Sequence, residues 1–323
     1  MVRNATNGLL QKAKKSKSDE FYTQLCDIER ELQYYQGQFE GKIVYCNCDD
    51  PRASNFFKYF ATNFHSLGLK KLIASCYIES DNSIFQEKDF KTGFYCEYFG
   101  KNNQNIEFKN FKGSGDFRSA ECIELLKQSD VVVTNPPFSL FREFVSQIIK
   151  YNKKFLVIGN VNAITYKEIF ELIQRNKVWL GVNLGRGISG FIVPDHYKRY
   201  GTEVSVNSNG QTIIATNSCL WLTNLELSQR HKDILLTKEY KGNEDKYPHF
   251  DNCNGININR TQDIPKDYHG LMGVPITFLH KYNPEQFEIV RFRKGDDGKD
   301  LRINGKCPYF RILVKNKKID VKD

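Results

Sequence analysis

The feature that most constrains the fold is the alternation of apolar strand segments with amphipathic helical segments over the first two-thirds of the chain. A helix between successive strands implies parallel strand pairing through right-handed crossovers. The pattern therefore predicts an α/β fold with a doubly wound, mostly parallel sheet. The predicted strands are GKIVYCNC (41–48), KKLIASCYI (70–78), VVVT (131–134) and KKFLVIGN (153–160), and the predicted helices are 51–64, 119–129 and 139–152.

The remainder of the chain has a different character. Short strand segments between 177 and 225, joined by Gly, Asn and Ser turns, predict antiparallel hairpins that close the sheet. From about residue 230 onward Asn, Asp, Lys, Tyr and Pro are frequent, which indicates a smaller, mixed second region. We therefore expect two domains, 1–229 and 230–323.

Composition narrows the class of protein. The chain has 323 residues, 40% of them apolar, and a formal charge of +9, so a globular protein with a preference for polyanions is expected. No run approaches the roughly 20 apolar residues of a membrane helix, and the basic N-terminal segment lacks the apolar stretch of a secretory signal. We expect a cytoplasmic protein that does not associate with a membrane. Nine cysteines without a C-x-x-C pair predict free thiols and no metal site.

The strand VVVT ends on Asn135, Pro136, Pro137 and Phe138. Two adjacent prolines lack backbone N–H groups and fix φ, so neither a sheet ladder nor a helix continues through them. The Asn135 side-chain oxygen and the Pro136 carbonyl can both accept hydrogen bonds from one planar exocyclic amine, and Phe138 offers a face for a flat heterocycle. A plain strand-terminating proline turn is the alternative.

Other polar side chains follow predicted strands. Asp49 and Asp50 follow the first strand and Glu79 the second, and GSGDFRS (113–119) places an acid, an aromatic ring and an arginine before a helix. Because ligands bind beyond the carboxyl ends of strands in open α/β sheets, these residues are candidates for one site.

These residues resemble a known family. TNPPF (134–138) matches the motif of amino-group methyltransferases that use S-adenosyl-L-methionine. The resemblance continues through KSDEFYTQ, YCNCDDPRASNFFKYF, KKLIASCYIE, GDFRS, GVPITFLHKYNPEQF and NGKCPYFRI. Over most of its length the chain is similar to the EcoRI-type adenine-N6 DNA methyltransferases.

The resemblance implies a role for each matching residue. Phe21, Tyr22 and Thr23 would contact the methionine part of S-adenosyl-L-methionine. Asp49 and Asp50 would meet the cofactor at the first strand, and Glu79 would hold its ribose. Asp116 and Phe117 would bind its adenine, while Asn135, Pro136, Pro137 and Phe138 would hold the target base.

The resemblance also implies the biological setting. The substrate would be double-stranded DNA, with a flipped-out adenine in a specific site, GAATTC. Residues 1–229 would form the catalytic domain and 230–323 the recognition region, without a metal. The enzyme would work as a monomer alongside a cognate restriction endonuclease. Five basic residues are candidates for DNA contacts: Arg291, Arg293, Lys294, Arg302 and Lys306.

Several local interpretations stay open. The family's glycine-rich loop after the first strand is DDPRASNFF here, without glycine, so which aspartate matters is undecided. DEFYTQ could instead be a helix start capped by Asp19, GDFRS an N-cap and first turn, and Glu79 an ordinary surface acid. LGRGISGF (184–191) is read as a hairpin turn, or alternatively as a loop bordering the target-base pocket with Phe191 as a second stacking face. KAKKSK (12–17) is a solvated tail or a DNA arm.

Rival functions follow from the same motif. Cytosine-N4 enzymes usually carry serine in place of Asn135, and no proline is followed by the cysteine that cytosine-C5 transfer needs. RNA or protein amino-group methyltransferases, and a DNA-binding protein whose methyltransferase fold has lost catalysis, remain alternatives.

Overall fold

The computed structural model describes residues 22–78, 92–100, 106–193, 204–207, 210–215, 218–293, 301–308 and 310–318. The chain divides into two compact units, the first within 1–164 and 181–226 and the second within 165–180 and 227–323. The C-terminal unit thus begins at residue 227 and also includes an earlier segment that contains one helix.

The secondary structure is numbered here in chain order. The strands are β1 (Tyr22–Thr23), β2 (Ile43–Asn47), β3 (Lys71–Cys76), β4 (Phe94–Tyr98), β5 (Phe108–Asn110), β6 (Val131–Thr134), β7 (Lys154–Asn160), β8 (Trp179–Leu184), β9 (Phe191–Ile192), β10 (Val204–Val206), β11 (Thr212–Ile214), β12 (Cys219–Thr223), β13 (His249–Phe250), β14 (Cys253–Asn257), β15 (Leu271–Pro275), β16 (Phe287–Arg293) and β17 (Arg311–Asn316). The α-helices are α1 (Leu25–Leu32), α2 (Asn55–Thr62), α3 (Ala120–Gln128), α4 (Phe141–Lys150) and α5 (Lys167–Gln174).

An eight-stranded mixed sheet with the order β5-β4-β3-β2-β6-β7-β12-β8 forms the centre of the first unit. Its four central strands, β3, β2, β6 and β7, are parallel. Strands β4, β5 and β12 pair antiparallel on the two sides. The fold is therefore mixed α/β, and the sequence patterns did not indicate β4 and β5. The order in which strands are added to the sheet reverses between β2 and β6, and ligand sites form at such a switch point.

Local sequence explains the central elements. Val131, Val132 and Val133 are buried, as expected for a strand covered on both faces. Helix α4 turns an apolar side inward, and its Phe141 packs against Gly159 of β7. A Cβ at Gly159 would lie 2.6 Å from that ring, so the glycine permits the close approach of helix and strand.

The expectation that the strands between 177 and 225 close the large sheet is confirmed for two of the four segments. Strands β12 and β8 lie at its edge, with β12 antiparallel to β7 and next to β8, whereas β9 and β11 lie in another sheet. Strands β9, β10 and β11 form a separate four-stranded sheet together with β1, in the order β1-β9-β11-β10. Strand β1 pairs with β9, with Tyr22 opposite Ile192 and Thr23 opposite Phe191. A pairing between segments so far apart in sequence leaves no local pattern to recognise.

The second unit contains a five-stranded sheet with the order β13-β14-β15-β17-β16. Phe250, Leu301 and Leu313 form a buried cluster in it. Helix α5 packs on β16, and the Phe170 and Phe292 rings stack with centroids 4.7 Å apart. Within the described ranges, no helix is both long and apolar enough to span a bilayer.

Candidate active site

Four chain segments meet at the carboxyl ends of the parallel strands. The Asp49 N–H donates to the Ser75 carbonyl over 2.9 Å, which joins the ends of β2 and β3. The Ile78 N–H donates to the Ser114 carbonyl over 2.8 Å and brings the loop 113–117 alongside. The Asn55 amide donates to the Thr23 carbonyl over 2.8 Å and attaches β1.

This edge of the sheet gathers most of the predicted site residues, namely Tyr22, Thr23, Asp49, Asp50, Asp116, Phe117, Asn135, Pro136, Pro137 and Phe138. Phe21 and Glu79 lie outside the described residues, as do Asp19 and the basic run 12–17. Tyr22 and Thr23 form a strand, so this part of DEFYTQ is not a helix start.

The Asn-Pro-Pro-Phe segment ends β6 as predicted. The chain turns immediately into a short 3₁₀ segment over Phe138–Leu140, with the Leu140 N–H donating to the Pro137 carbonyl over 3.0 Å. The Asn135 side-chain oxygen is buried, while Phe138 is partly exposed. The motif is thus a fixed turn at the strand end with an aromatic ring beside it.

Phe191 lies next to this motif. The Phe138 and Phe191 ring centroids are 6.1 Å apart, with an interplanar angle of 67°. The loop LGRGISGF connects β8 to β9, which belong to different sheets, so the hairpin interpretation is wrong. The structure instead agrees with the alternative that this loop borders the motif.

Helix α1 holds this loop in place. Asp27 accepts hydrogen bonds from the Ser189 N–H and hydroxyl over 2.9 and 2.8 Å. Gln24 donates to the Ser189 hydroxyl over 2.8 Å, and Arg30 donates to the Gly187 carbonyl over 2.9 Å. The sequence analysis missed these supporting residues, because the paired segments are more than 150 residues apart and neither carries a recognisable motif.

Two aspartates at the site form matching turns with an arginine two residues later. The Arg52 and Arg118 backbone N–H groups and guanidinium groups all donate to Asp50 and Asp116 respectively, over 2.7 to 3.0 Å for the main contacts. The hydrogen bond from Arg118 lowers the pKa of Asp116. Ser119, the last residue of GDFRS, is the N-cap of α3, so this segment begins a helix as the local alternative allowed, and Asp116 lies three residues before the cap.

Phe117 is a packed side chain. Its ring is 4% exposed and meets the Phe144 ring edge-on at 5.2 Å. Gly115 precedes this segment with φ +78°, and a Cβ there would lie 2.5 Å from the Cys76 carbonyl. Glycine therefore lets the loop lie directly on the end of β3.

The glycine-free loop after β2 is shaped by polar side chains. Ser54 caps α2 by accepting from the Phe56 and Phe57 N–H groups, and its hydroxyl donates to Asp49 over 2.7 Å. Cys48 takes the left-handed conformation, with φ 75°. Burial raises the pKa of Asp49 to about 7, against the lowering effect of hydrogen bonds with Thr134 and Ser54.

The residues present suit a methyl donor with polar and cationic parts. The Thr23 hydroxyl is buried and has no hydrogen-bond partner in the part of the chain that the structure describes, so it is available to a ligand. The ion-paired carboxyls of Asp50 and Asp116 lie at the same edge of the sheet. Among the described residues, no group of three or more His, Cys, Asp or Glu side chains could hold a metal ion.

The model of one protein family, described as adenine-specific methyltransferase EcoRI, matches residues 9–317. The chain belongs to this EcoRI methyltransferase family. It is 66% identical over 324 residues to the type II methyltransferase M.EcoRI of Escherichia coli, covering 99% of both chains. It is 38% and 37% identical to M.MgeORF184P of Mycoplasma genitalium and M.MpnI of Mycoplasma pneumoniae, over 95% of its length. No solved structure matches the chain.

This EcoRI-family enzyme is therefore an adenine-specific DNA methyltransferase of a type II restriction–modification system. The family resemblance inferred from the motifs is confirmed. The same finding favours an active DNA-directed enzyme over the RNA-directed, protein-directed and catalytically inactive alternatives.

Proposed function

We propose that this enzyme transfers a methyl group from S-adenosyl-L-methionine to N6 of an adenine flipped out of duplex DNA at GAATTC. One observation carries the proposal: Asn135 and Phe138 stand at the carboxyl end of β6, beside Phe191 and on the same edge as the cofactor residues. The strong similarity to M.EcoRI supports the choice of site.

The target base would be held by the turn after β6. The Asn135 side-chain oxygen and the Pro136 carbonyl accept hydrogen bonds from the adenine amino group, which draws the nitrogen lone pair out of the ring system. Pro137 keeps the turn rigid, and Phe138 stacks on the base with Phe191 behind it. Flipping costs a few kcal/mol, which these contacts offset. No covalent intermediate is needed, because positioning and electrostatics suffice.

The cofactor would lie along the ends of β1, β2 and β3. When bound, S-adenosyl-L-methionine supplies a methyl group on a positively charged sulfur. Tyr22 would face the methionine part together with the Thr23 hydroxyl, which has no hydrogen-bond partner among the described residues, and Phe21 would add to that contact. Asp50 adds an acceptor at the end of β2.

The nucleoside part of the cofactor would meet the loop next to β3. We assign the ribose hydroxyls to Glu79 and the adenine to Asp116 and Phe117. The lowered pKa of Asp116 keeps it ionised and able to accept a hydrogen bond from an amine.

The methyltransferase arrangement proposed is a doubly wound catalytic domain over 1–229 and a DNA-recognition region over 230–323. Arg291, Arg302 and Lys306 are exposed, which suits phosphate or base contacts. Arg293 and Lys294 extend the same proposal, although their side chains lie outside the described residues. The enzyme acts as a monomer that marks one strand per visit, paired with an endonuclease that reads the same site.

The decisive experiment is modified-base sequencing of DNA from cells that express the chain. We expect N6-methyladenine at one of the two adenines of GAATTC. We also expect that DNA to resist an endonuclease that cuts GAATTC. Methylation of another sequence would overturn the proposed site, and absence of modified adenine would overturn the proposed reaction.

Asn135→Ala tests the proposed hydrogen bond between the Asn135 side-chain oxygen and the amino group of the target adenine. We expect turnover to fall at least about tenfold while the dissociation constant for S-adenosyl-L-methionine stays within about twofold, because the lost contact forms with the target base. Ser139→Ala, an exposed position in the same turn, is the matched control and should keep full turnover. Equal turnover in Asn135→Ala and the control would remove the role of Asn135.

A further inference from the structure

Asp49 belongs to a buried hydrogen-bonded chain beneath the base-holding turn. One carboxyl oxygen of Asp49 accepts from the Ser54 hydroxyl over 2.7 Å. The other lies in hydrogen-bond contact with the Thr134 hydroxyl, which also contacts the Asn47 carbonyl. Thr134 is fully buried and is the last residue of β6, directly before Asn135.

The number of hydrogen atoms available in this hydrogen-bonded series indicates whether Asp49 is protonated. The Thr134 hydroxyl carries one hydrogen but contacts two oxygens, and the Asn47 carbonyl can only accept. If Asp49 were ionised it could also only accept, so one of the two contacts would have no hydrogen. A proton on Asp49 supplies both: Asp49 donates to Thr134, and Thr134 donates to Asn47.

The surroundings of Asp49 favour the neutral acid. Its pKa is raised to about 7 chiefly by burial. No basic side chain pairs with it within the described residues, in contrast to Asp50 and Asp116, which are held by arginines. Burial also raises the pKa of the nearby Cys46 and Cys48 thiols, which therefore stay neutral. The groups that face the Asp49 carboxyl are Asp50, Cys46 and Cys48 from the β2 end, Ser54 from the N-terminus of α2 and Thr134 from β6.

We propose that Asp49 is a neutral positioning residue that fixes Asn135 through Thr134, and that its charge plays no part in cofactor binding. This inference rests on the proposed role of Asn135. The protonated Asp49 carboxyl donates a hydrogen bond to the Thr134 hydroxyl, and Thr134 donates to the Asn47 carbonyl, which links the end of β6 to the end of β2. These bonds restrain the backbone position from which Asn135 begins the turn. Of the two aspartates after β2, Asp50 is then the one left to meet the cofactor.

Two pairs of variants test the proposal at about pH 6, where most of the acid is protonated because the pH lies about one unit below its pKa. Asp49→Asn keeps a donor for Thr134 and an acceptor for Ser54, whereas Asp49→Ala removes both. Thr134→Ser keeps the hydroxyl, whereas Thr134→Val keeps only the shape. The measurements are kcat on duplex DNA, the dissociation constant for S-adenosyl-L-methionine by calorimetry, and the thermal unfolding midpoint.

We expect Asp49→Ala and Thr134→Val to lower kcat about tenfold or more, while the cofactor dissociation constant changes less than about threefold. Asp49→Asn and Thr134→Ser should restore kcat to within about threefold of the wild type. A cofactor dissociation constant raised tenfold or more in Asp49→Asn would show that the charge is used, and would overturn the proposal. Full kcat in Thr134→Val would overturn it too.

Unfolding of the ligand-free chain separates this proposal from the proposed function. Asp49→Ala and Thr134→Val should lower the midpoint, and Asp49→Asn should keep it, even if the wild type transferred no methyl group. If Asp49→Asn lost as much stability as Asp49→Ala, the neutral hydrogen-bonded chain would be refuted. Absence of methyl transfer by the wild type itself would instead refute the proposed reaction.

Discussion

Glu31 and Asp49, two of the buried acids of the first unit, lie in contrasting surroundings. Glu31 of α1 is fully buried and its carboxyl receives four donors: the Val182 N–H and the Tyr35 hydroxyl at 2.9 Å, and the Asn183 N–H and side-chain amide at 2.8 Å. Asp49 has one clear donor, Ser54, and shares the single hydrogen of a threonine. Four donors suit a carboxylate, whereas a shortage of donors suits a carboxylic acid.

The difference shows that burial alone does not decide the charge of an acid. Burial raises the pKa of both Glu31 and Asp49, and hydrogen bonds oppose it in both. Burial and the neighbouring Glu31 charge also raise the pKa of Tyr35, which keeps its hydroxyl protonated and donating. Glu31 therefore joins α1 to the strand end at 182–183 as a charged acceptor, while Asp49 joins β2 to β6 as a neutral donor.

The largest effect is expected from Glu31→Ala. Removing the carboxylate leaves four donors without their acceptor in a buried site, so the free energy of unfolding should fall by roughly 3 to 5 kcal/mol. Chemical denaturation at neutral pH measures it. Asp27→Ala, on the same helix, removes fewer bonds and should cost less. A loss below 1 kcal/mol in Glu31→Ala would mean that Glu31 is not the acceptor described, since a single unsatisfied donor costs about that much.

A smaller effect is expected from pH acting on Asp49. Its pKa rises from the ordinary 3.8 to about 7 on folding, so between these values the unfolded chain loses a proton that the folded chain keeps. The resulting stability is complete below about pH 4, declines as pH rises to about 7 and is absent above it, with a total change of about 4 kcal/mol.

The measurement is the difference in unfolding free energy between the wild type and Asp49→Asn as a function of pH. Subtraction removes the contribution of Glu31, which has the same sign. A flat difference from pH 4 to pH 8 would place the proton elsewhere.

The smallest effect comes from exchanging each carboxyl for its amide. Glu31→Gln turns an NH₂ group toward donor N–H groups and should cost about 2 kcal/mol, whereas Asp49→Asn preserves its bonds and should cost less than about 1 kcal/mol. Matched unfolding curves at pH 7 compare the two variants directly. If the order of the two losses were reversed, the assignment of charged Glu31 and neutral Asp49 would have to be exchanged.

Local pattern was sufficient where the determinants are adjacent in sequence. The β-branched run Val131–Val133 and the prolines that follow it predict both the strand and its end, and the structure agrees. Ser54 and Ser119 begin the helices that their neighbourhoods indicated. By contrast, no sequence pattern identified β4 and β5 as strands at the edge of the sheet. Strand β9 pairs with β1 near the N-terminus rather than joining the large sheet.

The site divides in the same way. The sequence placed Asn135 and Asp50 at strand ends and Asp116 directly before a helix, because strands and helix starts follow from a few neighbouring residues. It did not choose between Asp49 and Asp50, and it left the position of Phe191 open.

The sequence by itself determined the alternating α/β pattern, the turn on which β6 ends and the family to which the enzyme belongs. Only the tertiary structure decided that the Phe191 ring lies against the Phe138 ring. It also decided that Asp49 shares a hydrogen with Thr134, whereas the Glu31 carboxyl accepts four hydrogen bonds. The physical reason is that a strand or a turn is specified by adjacent residues. The charge of a buried acid depends instead on which donors and acceptors distant parts of the chain bring within about 3 Å of it.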